Sequence, residues 1–261
     1  MVTIGLVRSA GVLLVAGALL AGACGGSGDP GAHPTVPPVP SPVRSQSVRD
    51  LLRHPLKTAA TEDFPAYAVW AKGASVPVYD APSGTVQKTF GNPQPSGAPL
   101  VFLLDKQRAG WLHVYLPARP NGSTGWVRAA DVEVRGVTYR VDVLRSAHQL
   151  RLYERGSLVK TFPVAIGTRD TPTPGGTFYL KELIRPTNGG GVYGPYAYGL
   201  SGFSDVLTNF SGGEGVIGIH GTNDPSVIGT DVSHGCIRLR NADITYLAQR
   251  LPLGTPVRIL P

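Results

Sequence analysis

Cysteine is scarce in this chain: 261 residues carry two, Cys24 and Cys236. A disulfide between them would have to join the extreme N-terminus to the C-terminal part, so the two are read as separate chemistries and a disulfide-stapled scaffold is excluded. Charge is also low, at 16% of residues. The excess of 24 basic over 17 acidic residues (+7) is scattered, with no run of five like charges and no basic stripe interleaved with aromatics. That pattern describes a solvated basic surface, not a nucleic-acid footprint, and no nucleic-acid partner is expected. No apolar run is long enough to cross a bilayer. The stretch from Ala10 to Leu20 is eleven residues, where a span needs about 20. Neither Gly-x-Ser-x-Gly nor His-Glu-x-x-His occurs. Gly213-x-Gly215-x-x-Gly218 fits a dinucleotide pattern, but it precedes a strand where the motif must open a helix. Glycine (34) and proline (24) are abundant and favour turn-rich β structure and linkers over long helices.

The N-terminus reads as a targeting segment. Arg8 and the α-amino group are followed by the short apolar run, then by Ala21, Gly22, Ala23 and Cys24. Residues 1–23 are therefore a secretory signal and lie outside the fold. A cysteine directly after small residues resembles the lipobox of bacterial lipoproteins, which implies cleavage before Cys24 and a lipid on its sulfur. Ala21 stands where that pattern usually has leucine. Residues 24–62 are rich in Gly and Pro and are expected to form an extended tether of about 3 Å per residue, with one helical turn over Ser47 to Leu52. The expected location is the outer face of the plasma membrane, lipid-anchored in the cell-wall space.

Two β-rich units follow, at 63–136 and 137–261. In the first, Val76 and Val78 alternate, as do Val101 and Leu103, and Leu112, Val114 and Leu116, with turn residues between. Closely spaced short strands predict a small barrel. The runs Gly110 to Pro117 and Asn121 to Val127 resemble bacterial SH3-like domains. In the second unit Tyr139, Val141 and Val143 alternate, as do Leu150 and Leu152 before a turn at Arg155-Gly156, and Phe162, Val164 and Ile166. These are half-buried antiparallel strands. One helix is signalled, with Asn241 as cap, Ile244, Leu247, Ala248 and Leu251 on one face, and Pro252 as stop. The fold class is mainly β with few helices. Residues 185–215 hold nine glycines together with Tyr193, Tyr196 and Tyr198 and show no periodicity. They are expected to form a lid or binding loop.

The chemistry sits in Ile219-His220-Gly221-Thr222 and Ser233-His234-Gly235-Cys236-Ile237-Arg238-Leu239. A thiol becomes a strong nucleophile when an imidazole takes its proton. His234 precedes the thiol by two residues and on a strand would share its face. His220 lies sixteen residues earlier, at the end of a strand, and reaches the thiol if the two strands pair. Gly235 lets the backbone approach a reacting carbonyl, and its N–H and that of Cys236 could hold an oxyanion. Arg238, two residues beyond Cys236, should share its face and suits a carboxylate. Zinc is a rival reading, with Asp224 or Asp231 completing the ligands.

This motif, with Thr171-Pro172-Thr173-Pro174-Gly175-Gly176 upstream, resembles that of the L,D-transpeptidases with a YkuD-type catalytic domain. The resemblance spans about 120 residues and implies a β-sandwich with Cys236 as nucleophile and His220 as general base. A backbone carbonyl orients that base, in the region of Gly221. His234, Ser233, Arg238, Tyr196 and Tyr198 are expected around the substrate. The implied reaction acylates Cys236 with a peptidoglycan tetrapeptide stem, expels D-Ala, and passes the acyl group to a neighbouring stem as a 3→3 cross-link, with no cofactor and no metal. Carbapenem-type β-lactams are expected to acylate the same thiol. Water as acceptor would make the enzyme an L,D-carboxypeptidase. A catalytically silent wall-binding lipoprotein is the reading from another class.

Overall fold

The computed structural model describes residues 66–209 and 213–261, with Thr35, Pro40 and Arg44–Gln46. The signal segment, Cys24 and the helical turn expected over 47–52 lie outside the described residues.

The first unit is one antiparallel sheet. Its strands are β1 (Arg44–Gln46), β2 (Ala66–Ala71), β3 (Ser75–Tyr79), β4 (Val86–Gly91), β5 (Val101–Arg108), β6 (Trp111–Tyr115), β7 (Thr124–Arg128) and β8 (Val132–Val137). They pair in the order β1-β8-β2-β5-β6-β7-β3-β4. Leu112 and Val114 of β6 turn into the core and Trp111, His113 and Tyr115 turn outward, as the alternation requires. The edge strand β4 carries Lys88 and is largely exposed, which guards an open edge against further pairing.

The second unit comprises β9 (Tyr139–Leu144), β10 (Gln149–Glu154), β11 (Ser157–Pro163), β12 (Ile166–Gly167), β13 (Gly176–Ile184), β14 (Ala197–Phe203), β15 (Val216–His220), β16 (Asp231–Ser233), β17 (Ile237–Arg238) and β18 (Pro256–Leu260), with one helix, α1 (Asn241–Ala248). Eight of these strands run β11-β10-β9-β18-β13-β14-β15-β17, and β12 pairs with β16. Strand β13 turns the corner. Gly176–Tyr179 pair with β18, Leu180–Ile184 pair with β14, and the register slips between Leu180 and Glu182. The two halves of the sheet enclose Phe178, Tyr179, Leu180 and Leu200, and Ile244 and Leu247 of α1 are buried with them. The chain is mainly β, and the second unit fits a β-sandwich.

Three expectations need correction. The aperiodic stretch 185–215 contains β14, a central strand buried along its whole length. Its sequence, Ala-Tyr-Gly-Leu-Ser-Gly-Phe, shows no alternation because both faces are dry. Asn241 is not the helix cap. The cap position is Arg240, with no side-chain bond, and Asn241 Oδ1 accepts from the Thr222 N–H at 2.9 Å. Finally, the tether is not wholly free chain. Thr35 exchanges two main-chain hydrogen bonds with Arg185 (3.1 and 2.7 Å), and Arg44–Gln46 pair with β8. A sheet edge accepts any extended segment through its backbone, so such docking leaves no mark in composition.

The apolar cores of the two units join in one cluster. Gly254 lies against Ala68 and Val101, and a β-carbon there would overlap the Ala68 methyl. Gln94 donates across to the Lys181 carbonyl at 3.0 Å.

Candidate active site

The site forms where β15 and β17 run parallel, with Ile219 beside Ile237 and His220 beside Arg238. Sequence separation alone left that pairing open; in the structure it sets His220 and Cys236 at neighbouring places on one sheet. Both are 1% exposed. A β-carbon on Gly218 would lie 3.7 Å from His220 Cδ2 and 3.8 Å from Cys236 Sγ, so ring and sulfur converge over that glycine. The Gly218 N–H points at the sulfur, 3.4 Å away.

The tautomer of His220 follows from its partner. Nδ1 lies 2.6 Å from the Gly221 carbonyl, which can only accept. Nδ1 therefore carries the proton in the neutral ring, and Nε2 presents a lone pair. Nε2 is buried with no hydrogen-bond partner. Burial pulls the imidazole pKa down to about 4, the Gly221 carbonyl opposes this, and the charge of Arg238 adds to it. The ring is thus a neutral base in reach of the Cys236 region. The nucleophilic form is the reduced thiol, and a thiolate beside the ring would raise the imidazole pKa.

The turn before the thiol is tightly built. Ser233 Oγ donates to the Cys236 carbonyl at 2.6 Å and accepts from the Gly235 N–H at 3.1 Å. Gly235 has φ +114, and a β-carbon would press on Ile217, so glycine is required. Thr168 N–H and Thr171 Oγ1 both donate to the Ser233 carbonyl (2.9 and 3.2 Å). The Thr-Pro-Thr-Pro run thus buttresses the nucleophile turn. On the other side, Gly194 and Gly221 pack face to face beside Asn241 with no room for a side chain on either.

Several expected roles change accordingly. Ser233 is fully buried and shapes the turn; it does not face a substrate. The Gly235 N–H is already given to Ser233, which removes it as an oxyanion donor in this geometry. His234 is exposed, and the chain bends at residues 234–235, so the period-two argument for its face fails. Tyr198 is buried in the core, its hydroxyl donating to the Leu251 carbonyl at 2.9 Å and the Leu247 carbonyl at 3.3 Å. Tyr196 carries the Arg185 guanidinium over its ring at 5.5 Å. The tyrosine that meets the base is Tyr193, edge-on to His220 with ring centroids 5.0 Å apart. It was one of three tyrosines in the aperiodic segment, and nothing in the sequence ranked it first. Arg238 is half-buried, its Nε enclosed with no hydrogen-bond partner. Burial lowers its pKa, while Tyr193 and Asp224 act in the opposite direction.

The family of L,D-transpeptidase catalytic domains (YkuD) matches residues 138–259, which hold this whole site. The protein named YkuD in Bacillus licheniformis is 44% identical over 125 residues, covering 48% of this chain and 67% of its own length. The chain belongs to the L,D-transpeptidase family. The Bacillus subtilis member named YkuD is 35% identical over 150 residues, covering 55% of this chain and 83% of its own. Among solved structures, an L,D-transpeptidase from Mycobacterium smegmatis aligns over 62% of this chain and 90% of its own at 13% identity, with a TM-score of 0.38. The family match begins after β8, so the first unit of this L,D-transpeptidase is outside it.

Proposed function

We propose that the chain forms 3→3 cross-links in peptidoglycan through a thioester on Cys236. The observation that carries this reading is the buried, partnerless Nε2 of His220, with Nδ1 fixed on the Gly221 carbonyl, in a ring whose Cδ2 edge converges with the Cys236 sulfur over Gly218. In the reduced enzyme Nε2 takes the thiol proton. The sulfur attacks the carbonyl at the L-centre of diaminopimelate in a donor tetrapeptide, and the C–N bond to D-Ala breaks as the imidazolium returns its proton to the departing amine. The amine of an acceptor stem then attacks the thioester and restores the thiol. The Gly218 N–H, aimed at the sulfur, favours the thiolate. The guanidinium of half-buried Arg238 would donate to a stem carboxylate from its more exposed nitrogens. A carbapenem would acylate the same sulfur. Lipid on Cys24 would hold the enzyme at the outer face of the plasma membrane, with the first unit as an SH3-like module between anchor and catalytic domain.

The test is incubation of the reduced enzyme with a purified disaccharide-tetrapeptide, followed by mass analysis. The expected products are free D-Ala and a tetrapeptide–tripeptide dimer. Cys236→Ala should abolish both, and His220→Ala should slow turnover by about 10²-fold or more, the range for loss of a general base. A tripeptide product without dimer would make water the acceptor. An enzyme that releases no D-Ala would overturn the reading.

A further inference from the structure

The loop of the first unit that joins β6 to β7 reaches into the catalytic domain and takes hold of a single segment there. Arg119 donates from Nη1 to the Ser204 carbonyl at 2.8 Å, and from Nη2 to the carbonyls of Glu214 (2.9 Å) and Leu207 (3.1 Å). Its guanidinium also lies over the Phe203 ring, 5.0 Å from the centroid. Two residues on, Asn121 Nδ2 donates to the Phe203 carbonyl (2.7 Å) and to Asp205 Oδ1 (2.9 Å), while its Oδ1 accepts from the Phe203 N–H at 2.9 Å. All these partners stand at the two ends of the connection from β14 to β15. The Ser204 N–H closes its mouth on the Gly215 carbonyl at 2.7 Å. One planar fork gathering carbonyls from Ser204, Leu207 and Glu214 ties the two ends of the connection to each other and to the first unit.

That connection leads directly to the reacting groups. It enters β15 at Val216, two residues before the Gly218 N–H that meets Cys236 Sγ. At about 3.3 Å per residue the loop mouth at Gly215 is roughly 10 Å from the level of the sulfur. Tyr193 and the 185–196 segment lie at the other end of the same strands, where Ala197 pairs with His220. An extended stem of four residues spans about 13 Å. A stem that leaves the scissile carbonyl toward the start of β15 would pass the held ends of this connection, at Phe203–Leu207 and Glu214–Val216. We infer that Arg119 and Asn121 are positioning residues for that side of the cleft, and that the first unit is a working part of the active site by setting how tightly a peptide stem binds. This rests on the reading of the chain as a stem-peptide transpeptidase.

The test uses the full chain, with Arg119→Ala, Arg119→Lys and Asn121→Ala. For each, kcat and KM for disaccharide-tetrapeptide are compared with the rate of acylation by a carbapenem, a ligand without an extended peptide stem, and melting temperature is recorded. Arg119→Ala should raise KM about 10-fold, with carbapenem acylation and kcat within about twofold of the parent. Arg119→Lys, which keeps the charge but not the fork, should fall between, and Asn121→Ala should shift KM in the same direction. Unchanged KM in both alanine variants would overturn the inference, as would equal losses in KM, kcat and carbapenem acylation, which mark a general loss of structure. If the parent enzyme itself takes carbapenem but no tetrapeptide, the functional reading falls, and the inference falls with it.

Discussion

At the scale of the residue, the governing feature is a histidine kept neutral by burial. A folded-state pKa of about 4 against an ordinary 6.5 means that the unfolded chain binds a proton at His220 between those values and the native chain does not. Stability from this group is therefore complete above about pH 6.5 and is lost as pH falls toward 4, an effect on the order of 3 kcal/mol. A Cys236→Ala background removes any thiolate from the comparison. There, adding His220→Gln should flatten the pH dependence of urea unfolding between pH 6.5 and 4. Parallel stability curves for the single and double variants would show that His220 titrates normally.

At the scale of the element, the parallel pair β9 and β18 is joined by charge as well as by its ladder. Asp142 is 3% exposed and sits opposite Arg258, whose Nε and Nη2 reach its two oxygens at 2.8 and 2.6 Å. Arg140 adds a bond from Nε at 3.0 Å. A carboxylate this buried is stable because both guanidinium groups neutralise it, and removing it takes a buried counter-charge from two half-buried cations. Asp142→Ala should cost about 3 kcal/mol in denaturant unfolding while leaving the carbapenem acylation rate of the folded fraction unchanged. A loss below about 1 kcal/mol would mean that the pair is screened like a surface bridge.

At the scale of the whole molecule, the two units do not behave as beads on a string. Their cores meet, Gly254 lies on Ala68, and Arg119 crosses to the β14–β15 connection. Lipid on Cys24 predicts that Cys24→Ala moves the protein from the membrane to the soluble fraction with its carbapenem reactivity intact. Retention of that variant in the membrane, with no acyl mass on the N-terminal peptide of the parent, would remove the anchor from the account.

What the sequence determined by itself was local. Alternation placed β9 and β10 because apolar Val141, Val143, Leu150 and Leu152 are buried on one face and the polar residues Arg140, Asp142, Gln149 and Arg151 lie on the other, and Arg155-Gly156 marked a two-residue hairpin turn, both residues having positive φ. The Cys-His chemistry was legible because few residue types can supply a nucleophile and its base. Tertiary structure alone decided the rest. Strand β14 is buried on both faces, and periodicity reports only a contrast between faces. The proton on His220 Nδ1, the bond from Asn241 to Thr222 and the Arg119 fork all depend on main-chain groups. Every residue carries such groups, so nothing in the sequence marks which carbonyl or N–H a distant side chain will meet; only folding brings them within reach.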